Sequence, residues 1–476
     1  MQRGPAQSIL FSVAFTEGFS TLAVEVIAIR LAIPVAGSSM ILTGVMLGIV
    51  LFALSAGYWR GGAISAKWDA ARTRKILARN LFLAAALYAI AFPLEARLLD
   101  RLLDDLNLPL SIGLTATALF AIPVYLASQT VPMLAELTSD GKAGRASGKV
   151  LFFSTIGSVA GGVVTPVWLF PSIGVTRSTY LVCAVLVAAG CVMAIIHRRL
   201  MAIGAAAIFI APLMHRLTAP SGDLFDFDSP YQSVRIFTDS AKNGRLERVL
   251  MMGGGRASGV FADSGESSFL YTLASERALA ETGAAEVLVI GSAGFNLPRD
   301  AARAPAIRRI DAVDVDPSVK PIAEEYFLKE PLSEKIRFLP LSARFAVRKL
   351  GREGRRYGFT MIDAYFGKGI PDELVTAEFF RDVRAVSDHT LVNAGLDRTL
   401  DSAFARNLLA TFRDAFGDVW LIDAKPDDPD PITNILVLNW PAQGSKHWTG
   451  SGTVYRDDCN TADRDRVALM WGADSP

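Results

Sequence analysis

Two different patterns of apolar and polar positions divide this chain. Up to about residue 215, apolar runs of roughly helical-span length recur at 8–34, 39–58, 76–94, 108–135, 150–170 and 178–196. A helix needs about 20 such residues to cross a hydrocarbon core of about 30 Å, so this half predicts six membrane spans. From about residue 222, short apolar runs bounded by Gly, Pro and Asp alternate with helical periods. A β-rich lead is expected at 231–238, 246–252 and 258–262. Strands are then predicted at 286–290, 310–315, 336–340, 358–363, 389–394, 418–423 and 434–439, with helices between them, for example 317–328 and 372–386. Strand–helix alternation of this kind predicts a doubly wound α/β sheet of the Rossmann type. The fold class is therefore a polytopic α-helical membrane domain over 1–215, followed by a Rossmann-like α/β domain with a small β lead over 222–442. The stretch 443–476 is polar and rich in Gly and Asp and reads as a loose tail.

Charge sharpens the division. The chain has 476 residues and a formal net charge of +1. Residues 1–200 carry 16 Lys+Arg against 9 Asp+Glu, a net of +7, which leaves −6 for the remainder. Neither half shows the basic stripe of a nucleic-acid binder. With the N-terminus inside, the inner segments hold 12 basic residues: Arg3, Arg60, Lys67, Arg72, Arg74, Lys75, Arg79, Lys142, Arg145, Lys149, Arg198 and Arg199. The outer segments hold 3, namely Arg97, Arg101 and Arg177. That asymmetry predicts a cytoplasmic N-terminus. The first apolar run is too long for a signal-peptide core, and no small-residue cleavage site precedes the next one. Residues 200–214 form a 15-residue apolar run, about 22 Å as a helix. If this run spans, there are seven spans and the second domain lies outside; if it lies in the interface, the domain stays inside.

Glu17, Glu25 and Arg30 sit within the first span. Charges there are often functional, but internal pairing and snorkelling are the simpler reading. Gln129, Pro132 and the small residues 157–162 read as close helix contacts. Matching broken helices are not visible in the sequence, which gives a transporter reading little support. Cys183, Cys191 and Cys459 form no disulfide framework, and the four His residues lack ligand spacing, so no metal is expected.

Three strand ends carry chemistry. The run 286–290 ends in Gly291-Ser292-Ala293-Gly294, where glycines let the backbone approach a ligand at a helix start. Asp314 follows Gly291 by 23 residues at the end of the next strand, the place of an acid that accepts hydrogen bonds from a ribose. Asp316-Pro317 reads as a helix start. Asp363, at the end of the fourth strand of the alternating series, lies where reaction chemistry occurs in this architecture.

These segments resemble, in order, the spermidine synthases, that is, the polyamine aminopropyltransferases. The resemblance rests on SPYQSV at 229–234, the region from Gly253 to Tyr271, VLVIGSAG, DAVDVDP, the region from Phe338 to Arg344, and MIDAYFGKGIP followed by LVTAEFF. With GFSTLAVEVIAIRLAIPVAGSS and GSVAGG in the apolar half, the layout is similar to the membrane-fused branch of that family. The resemblance implies decarboxylated S-adenosylmethionine, or S-adenosylmethionine, as the cofactor. It assigns Gln232, Gly291, Gly294, Asp314 and Ser342 to that cofactor, Tyr271 and Tyr365 to the substrate, and Asp363 to deprotonating the attacking amine. An inner or plasma membrane location with the soluble domain in the cytoplasm, where such a cofactor is made, and a possible homo-oligomer also follow from it.

The chain departs from the family pattern at four places. The glycine loop lacks its acid, Ser342 stands where an acid near the adenine is usual, Phe366 replaces the second acid of the amine site, and Thr272 stands where glutamine is usual. A polyamine needs a carboxylate at its distal end, whereas Phe366 and Tyr365 suit a less polar acceptor. Three readings follow. The first is an aminopropyltransferase acting on a small amine. The second is a transferase of the same fold acting on an apolar or bilayer-associated acceptor. The third is a non-enzymatic membrane sensor or transport protein with a degenerate synthase domain.

Overall fold

The computed structural model describes residues 7–139, 141–194, 209–210, 212–214, 216–217, 223–229, 231–241, 244–367 and 369–471. They fall into two compact units, Met1–Ser221 and Gly222–Pro476. Most of 200–214, the run that decides between six and seven spans, lies outside the described residues.

The first unit is helical: α1 (Gln7–Ala36), α2 (Met40–Lys67), α3 (Ala70–Leu103), α4 (Leu108–Leu137), α5 (Ala143–Val164) and α6 (Phe170–Ala194). Their starts are legible in the sequence. Ser39 Oγ, an Asp69 oxygen and Asn107 Oδ1 each accept a hydrogen bond from the amide three residues on, at 3.0, 2.7 and 3.1 Å, satisfying N–H groups that a helix leaves open. Five helices among the described residues are long and apolar enough to cross a membrane. The last of them, Ala143–Ala194, has 52 residues and takes in the fifth and sixth predicted spans. A straight helix of that length would run about 78 Å, but the backbone leaves helical geometry at Gly174 (φ 79°, ψ 167°).

Side-chain registers give the directions. α1 and α5 run parallel: Phe11 stacks on Phe153 at 5.0 Å, and a Cβ at Gly157 or Gly161 would lie about 2 Å from the Phe15 or Phe19 carbonyl. α2 runs parallel to α4, with Gly57 against Ser128 and Gly61 against Gln129 and Pro132. α3 opposes α4 through Asn80–Gln129 (2.9 Å) and Phe92–Phe120 (5.7 Å). α6 packs on α3, with Gly190 on Phe82. With the short link between α1 and α2, the directions of α1 to α5 alternate.

The second unit begins with an antiparallel sheet, β1 (Asp223–Asp228), β2 (Ser233–Ser240), β3 (Leu246–Met252) and β4 (Gly255–Phe261), in that order. β1, DLFDFD, is absent from the predicted lead. An eight-stranded sheet follows: β5 (Glu286–Ile290), β6 (Arg309–Asp314), β7 (Ile336–Pro340), β8 (Tyr357–Ile362), β9 (Ser387–Asp397), β10 (Trp420–Asp423), β11 (Ile432–Leu438) and β12 (Lys446–His447). Its order is β12-β10-β11-β9-β8-β5-β6-β7. β5 to β9 run parallel, and β10 to β12 pair antiparallel at one side. The helices between them are α7 (Leu270–Thr282), α8 (Asn296–Ala302), α9 (Val319–Ile322), α10 (Ala343–Arg352), α11 (Ala377–Val386), α12 (Ala403–Phe416) and α13 (Ala462–Trp471).

β5 shows why the fold follows from the pattern. Its apolar run is buried on both faces, as parallel strands are. Leu288 and Ile290 join one core, while Val287 and Val289 join the other. The chain leaves β5 for β6 and β7 on one side and returns to β8 and β9 on the other, so the topological switch lies between β5 and β8. Ligands of such sheets bind beyond the carboxyl ends at that point.

The polar end of the chain differs from the loose tail its composition suggests. Tyr455 is 1% exposed, and Arg466 bonds to the Ile370 carbonyl at 2.7 Å and to Asp372 at 2.9 Å. Asp457 pairs with Arg344. Buried aromatic and ionic anchors, sparse in sequence, hold this segment through α13 against 369–376 and α12.

Candidate active site

The site is built where β5 and β8 end. Gly291 has φ 87°, and a Cβ there would stand 2.2 Å from the Asp363 carbonyl oxygen. Only glycine permits this approach, and it brings the predicted cofactor loop against the predicted catalytic acid. The Asp363 amide donates to the Ile290 carbonyl at 2.8 Å, which fixes the first residue after β8 to β5.

The Asp363 carboxylate accepts from Asn393 Nδ2 at 2.8 Å and from the Tyr271 hydroxyl. Burial pushes its pKa up from 3.8 to about 6, against the lowering effect of those two donors. Tyr271 also donates to the Ala257 carbonyl at 3.3 Å. A phenol has one proton, so it serves Asp363 when that group is ionised. Once Asp363 takes a proton, Tyr271 can accept it as a hydrogen bond and turn its own proton to Ala257. This arrangement suits a general base that is ionised near neutral pH and tolerates its proton afterwards.

Tyr365 is fixed differently. Its hydroxyl donates to the Asn393 carbonyl at 3.1 Å and accepts from the Gly395 amide at 3.0 Å. The phenol is anchored to β9, and burial together with the Asp363 charge raises its pKa. Gln232 comes from the lead sheet. It is 6% exposed, and its turn is closed by Ser229, whose Oγ accepts from the Gln232 amide at 2.9 Å. A Cβ at Gly253 (φ 54°) would lie 3.0 Å from Gln232 Oε1 and 3.2 Å from the Gly367 amide. The Gly253 turn thus packs Gln232 against the loop that follows Asp363.

Asp314 faces the same loop. Its carboxylate accepts from the amides of Ser292 (3.2 Å), Ala293 (3.4 Å) and Asp316 (3.0 Å). Burial raises its pKa, and these three donors act against that. A carboxylate has about four lone-pair positions. Three are occupied by backbone, which fixes the loop and leaves room for about one ribose hydroxyl. The Gly294 amide donates to Ser258 Oγ at 3.1 Å, and a Cβ there would stand 2.5 Å from Phe327. Gly294 is therefore needed for packing against β4. Ala293 (φ 36°) and Phe295 (φ 58°) adopt left-handed backbone without being glycine, a strain of a kind that clusters at ligand sites.

Ser342 stands just beyond β7 on the same edge of the sheet, exposed, at the start of α10 and without a capping hydrogen bond. Asp316 accepts from the Ser318 amide and hydroxyl at 2.9 and 2.6 Å, a turn that precedes α9. Phe366 forms a bridge with Gly369, its amide donating at 2.9 Å. Of the predicted site residues, Gln232, Tyr271, Gly291, Asp314, Asp363 and Tyr365 are gathered by direct contact or shared partners. Gly294 and Ser342 are placed at the edges.

Asn393 is the residue that sequence reasoning missed. It is 2% exposed in the middle of β9, and its Oδ1 accepts from Asn434 Nδ2 at 3.0 Å while its Nδ2 serves Asp363. An amide inside the otherwise apolar LVNA run was the available signal. Buried amides need partners, and here the partner is Asp363. Among the described residues no cluster of His, Cys, Asp and Glu could hold a metal.

Part of the chain is similar to known proteins. No family model matches. A polyamine aminopropyltransferase of Vibrio vulnificus (strain CMCP6) is 31% identical over 162 residues, which is 33% of this chain and 52% of that protein. The chain thus spans about half the length of this curated relative. Among solved structures, a probable spermidine synthase from Corynebacterium glutamicum ATCC 13032 aligns at 16% identity, covering 53% of this chain and 86% of that one, with a TM-score of 0.37. A spermidine synthase in complex with the transition state analogue AdoDATO aligns at 15% identity over 45% of this chain and 71% of that one, with a TM-score of 0.36. Over its C-terminal part, this chain is similar to a polyamine aminopropyltransferase.

Proposed function

We propose that the second unit transfers an aminopropyl group from decarboxylated S-adenosylmethionine to an amine. The observation that carries this reading is the Asp363 carboxylate, held by Asn393 and Tyr271 with a pKa near 6, directly against the Gly291 loop that Asp314 fixes. The donor supplies a sulfonium-activated carbon. The amine nitrogen bonds to that carbon as its bond to sulfur breaks, methylthioadenosine leaves, and the proton lost from nitrogen goes to Asp363. A carboxylate at this point also favours the cationic donor and acceptor by charge. Asp314 would hold the ribose and Gln232 the donor's tail, while Tyr271 and Tyr365 would wall the acceptor.

Phe366 beside Tyr365 favours a second acceptor class, an amine on an apolar or bilayer-associated molecule, because the loop lacks a carboxylate for a distal ammonium. We also place the first unit in a lipid bilayer, with six passes and an inner N-terminus. Its five long apolar helices and the 12-to-3 distribution of basic residues support this.

Calorimetry on the full chain in detergent tests the transferase reading. Decarboxylated S-adenosylmethionine should bind, S-adenosylmethionine more weakly, and Asp314→Ala should remove both signals. Failure of both donors to bind would overturn the proposal. Binding without methylthioadenosine release on addition of putrescine would transfer the case to the apolar acceptor. For topology, a reporter fused near residue 220 should report the cytoplasm; an external signal would place the second unit outside.

A further inference from the structure

Among the described residues, no helix or strand lies between Asp363 and Pro371, yet this stretch carries Asp363, Tyr365 and Phe366. Irregular backbone holds one shape only when its polar groups are paired from outside. Two of the three side chains have anchors of their own. Asp363 is tied by its amide to the Ile290 carbonyl of β5 (2.8 Å), and the Tyr365 hydroxyl to Asn393 and Gly395 of β9. Phe366 is fixed differently, through its amide, which donates to the Gly369 carbonyl at 2.9 Å.

Gly369 in turn rests on the C-terminal segment. A Cβ there would stand 2.6 Å from Arg466 Cδ on α13. Arg466 is 9% exposed. Its Nη1 donates to the Ile370 carbonyl (2.7 Å) and to Asp372 Oδ1 (2.9 Å), and its Nη2 to Asp463 Oδ1 (2.9 Å). The side chain can yield only by losing these bonds, so residue 369 must be glycine for Arg466 to lie where it does. The backbone that follows is held in the same way. Asn460 Nδ2 donates to the Asp372 carbonyl at 2.8 Å, Arg344 Nε to the Glu373 carbonyl at 2.7 Å, and the Ala377 amide to the Tyr455 carbonyl at 2.9 Å. On its other side the turn meets the lead sheet, where a Cβ at Gly255 would lie 3.2 Å from the Gly367 carbonyl oxygen.

We propose that Arg466 is a positioning residue for the acceptor: through Gly369 and Ile370 it sets where Phe366 stands, while the base keeps its separate anchor on β5. This inference rests on the transferase reading. Loss of the arginine then moves the acceptor wall and leaves Asp363, Asp314 and the Gly291 loop in place, so acceptor binding suffers and proton transfer does not.

The test uses the full chain in detergent, with decarboxylated S-adenosylmethionine as donor and putrescine and octylamine as acceptors. Arg466→Gln should raise acceptor KM by about tenfold or more and leave kcat within about threefold, the signature of lost uniform binding. Arg466→Lys, which keeps the charge and loses the planar fork, should fall between. Gly369→Ala presses on the same contact from the opposite side, and it serves if the arginine variants fail to fold. It should raise KM as Arg466→Gln does, and the double variant should be no worse than either single one, as coupled sites behave. Donor affinity by calorimetry should be unchanged. Backbone hydrogen exchange should quicken over 364–372 and stay as it was over 291–296. Acceptor KM unmoved by both Arg466→Gln and Gly369→Ala, or kcat and donor affinity falling together with it, would overturn the proposal. If the wild-type chain transfers to neither acceptor, the transferase reading fails and exchange alone decides: quickening confined to 364–372 upholds the positioning role, and exchange that is unchanged or spreads to 291–296 overturns it.

Discussion

Replacing Asp363 by Asn should slow transfer and stabilise the protein, and the two effects have one cause. The side chain is held in the folded state with a pKa of about 6 in place of 3.8, so burial opposes its charge. Above pH 6 the folded chain carries an ionised group that the unfolded chain solvates better. The difference of about 2 pK units corresponds to about 3 kcal/mol. The sign follows from proton counting. Between pH 4 and 6 the folded state binds more protons than the unfolded one, so stability falls as pH rises through that window. Asn removes the penalty and keeps an oxygen for the Asn393 Nδ2 bond. Thermal unfolding of the full chain in detergent, followed by a signal from the second unit, should rise by roughly 6–12 °C at pH 7 for a unit of this size. At pH 4 the difference should vanish. Transfer should fall by about two to four orders of magnitude, as expected for loss of a general base. A variant no more stable than wild type at pH 7, or equally stabilised at both pH values, would refute the argument that burial sets this carboxyl.

Other substitutions probe the surroundings. Asn393→Asp places a second carboxylate 2.8 Å from the first, and two such groups cannot both ionise freely; the acidic limb of the pH–rate profile should move up by about one unit or more. Asp311, 0% exposed, holds Arg309 (3.1 Å), Arg337 (2.8 Å) and Tyr357 (2.5 Å). Asp311→Asn should cost about 2–3 kcal/mol by denaturant titration, below the full value for a buried pair because Arg337 is partly solvated. Its pKa is lowered, so this contribution is present at neutral pH and lost as pH falls through the folded value. In the first unit, Gly157→Ala drives a Cβ to 2.0 Å from the Phe15 carbonyl, whereas Gly162→Ala meets nothing closer than 4.0 Å. The first should lower the melting temperature of the detergent-solubilised chain by several degrees and the second should leave it unchanged.

The sequence alone determined the division of the chain and most of the sheet. The apolar run before Gly291 marked β5 to the residue, because a strand buried on both faces has one composition, and β3 and β7 were also placed to the residue. Apolar length predicted six segments; among the described residues five helices are long and apolar enough to span, the last of them broken at Gly174. Gly291, Asp314 and Asp363 were legible because strand ends in a doubly wound sheet are where ligands sit. Tertiary structure decided the rest. Asn393 became part of the site only when β9 was laid beside β8, a pairing that no local pattern encodes. The tail from Gln443 looked loose because its anchors, Tyr455, Asp465 and Arg466, are scattered among polar residues. Glu95 on α3 reads as an ordinary helix acid, and only packing shows it wholly buried with, among the described residues, no hydrogen-bond partner for either oxygen.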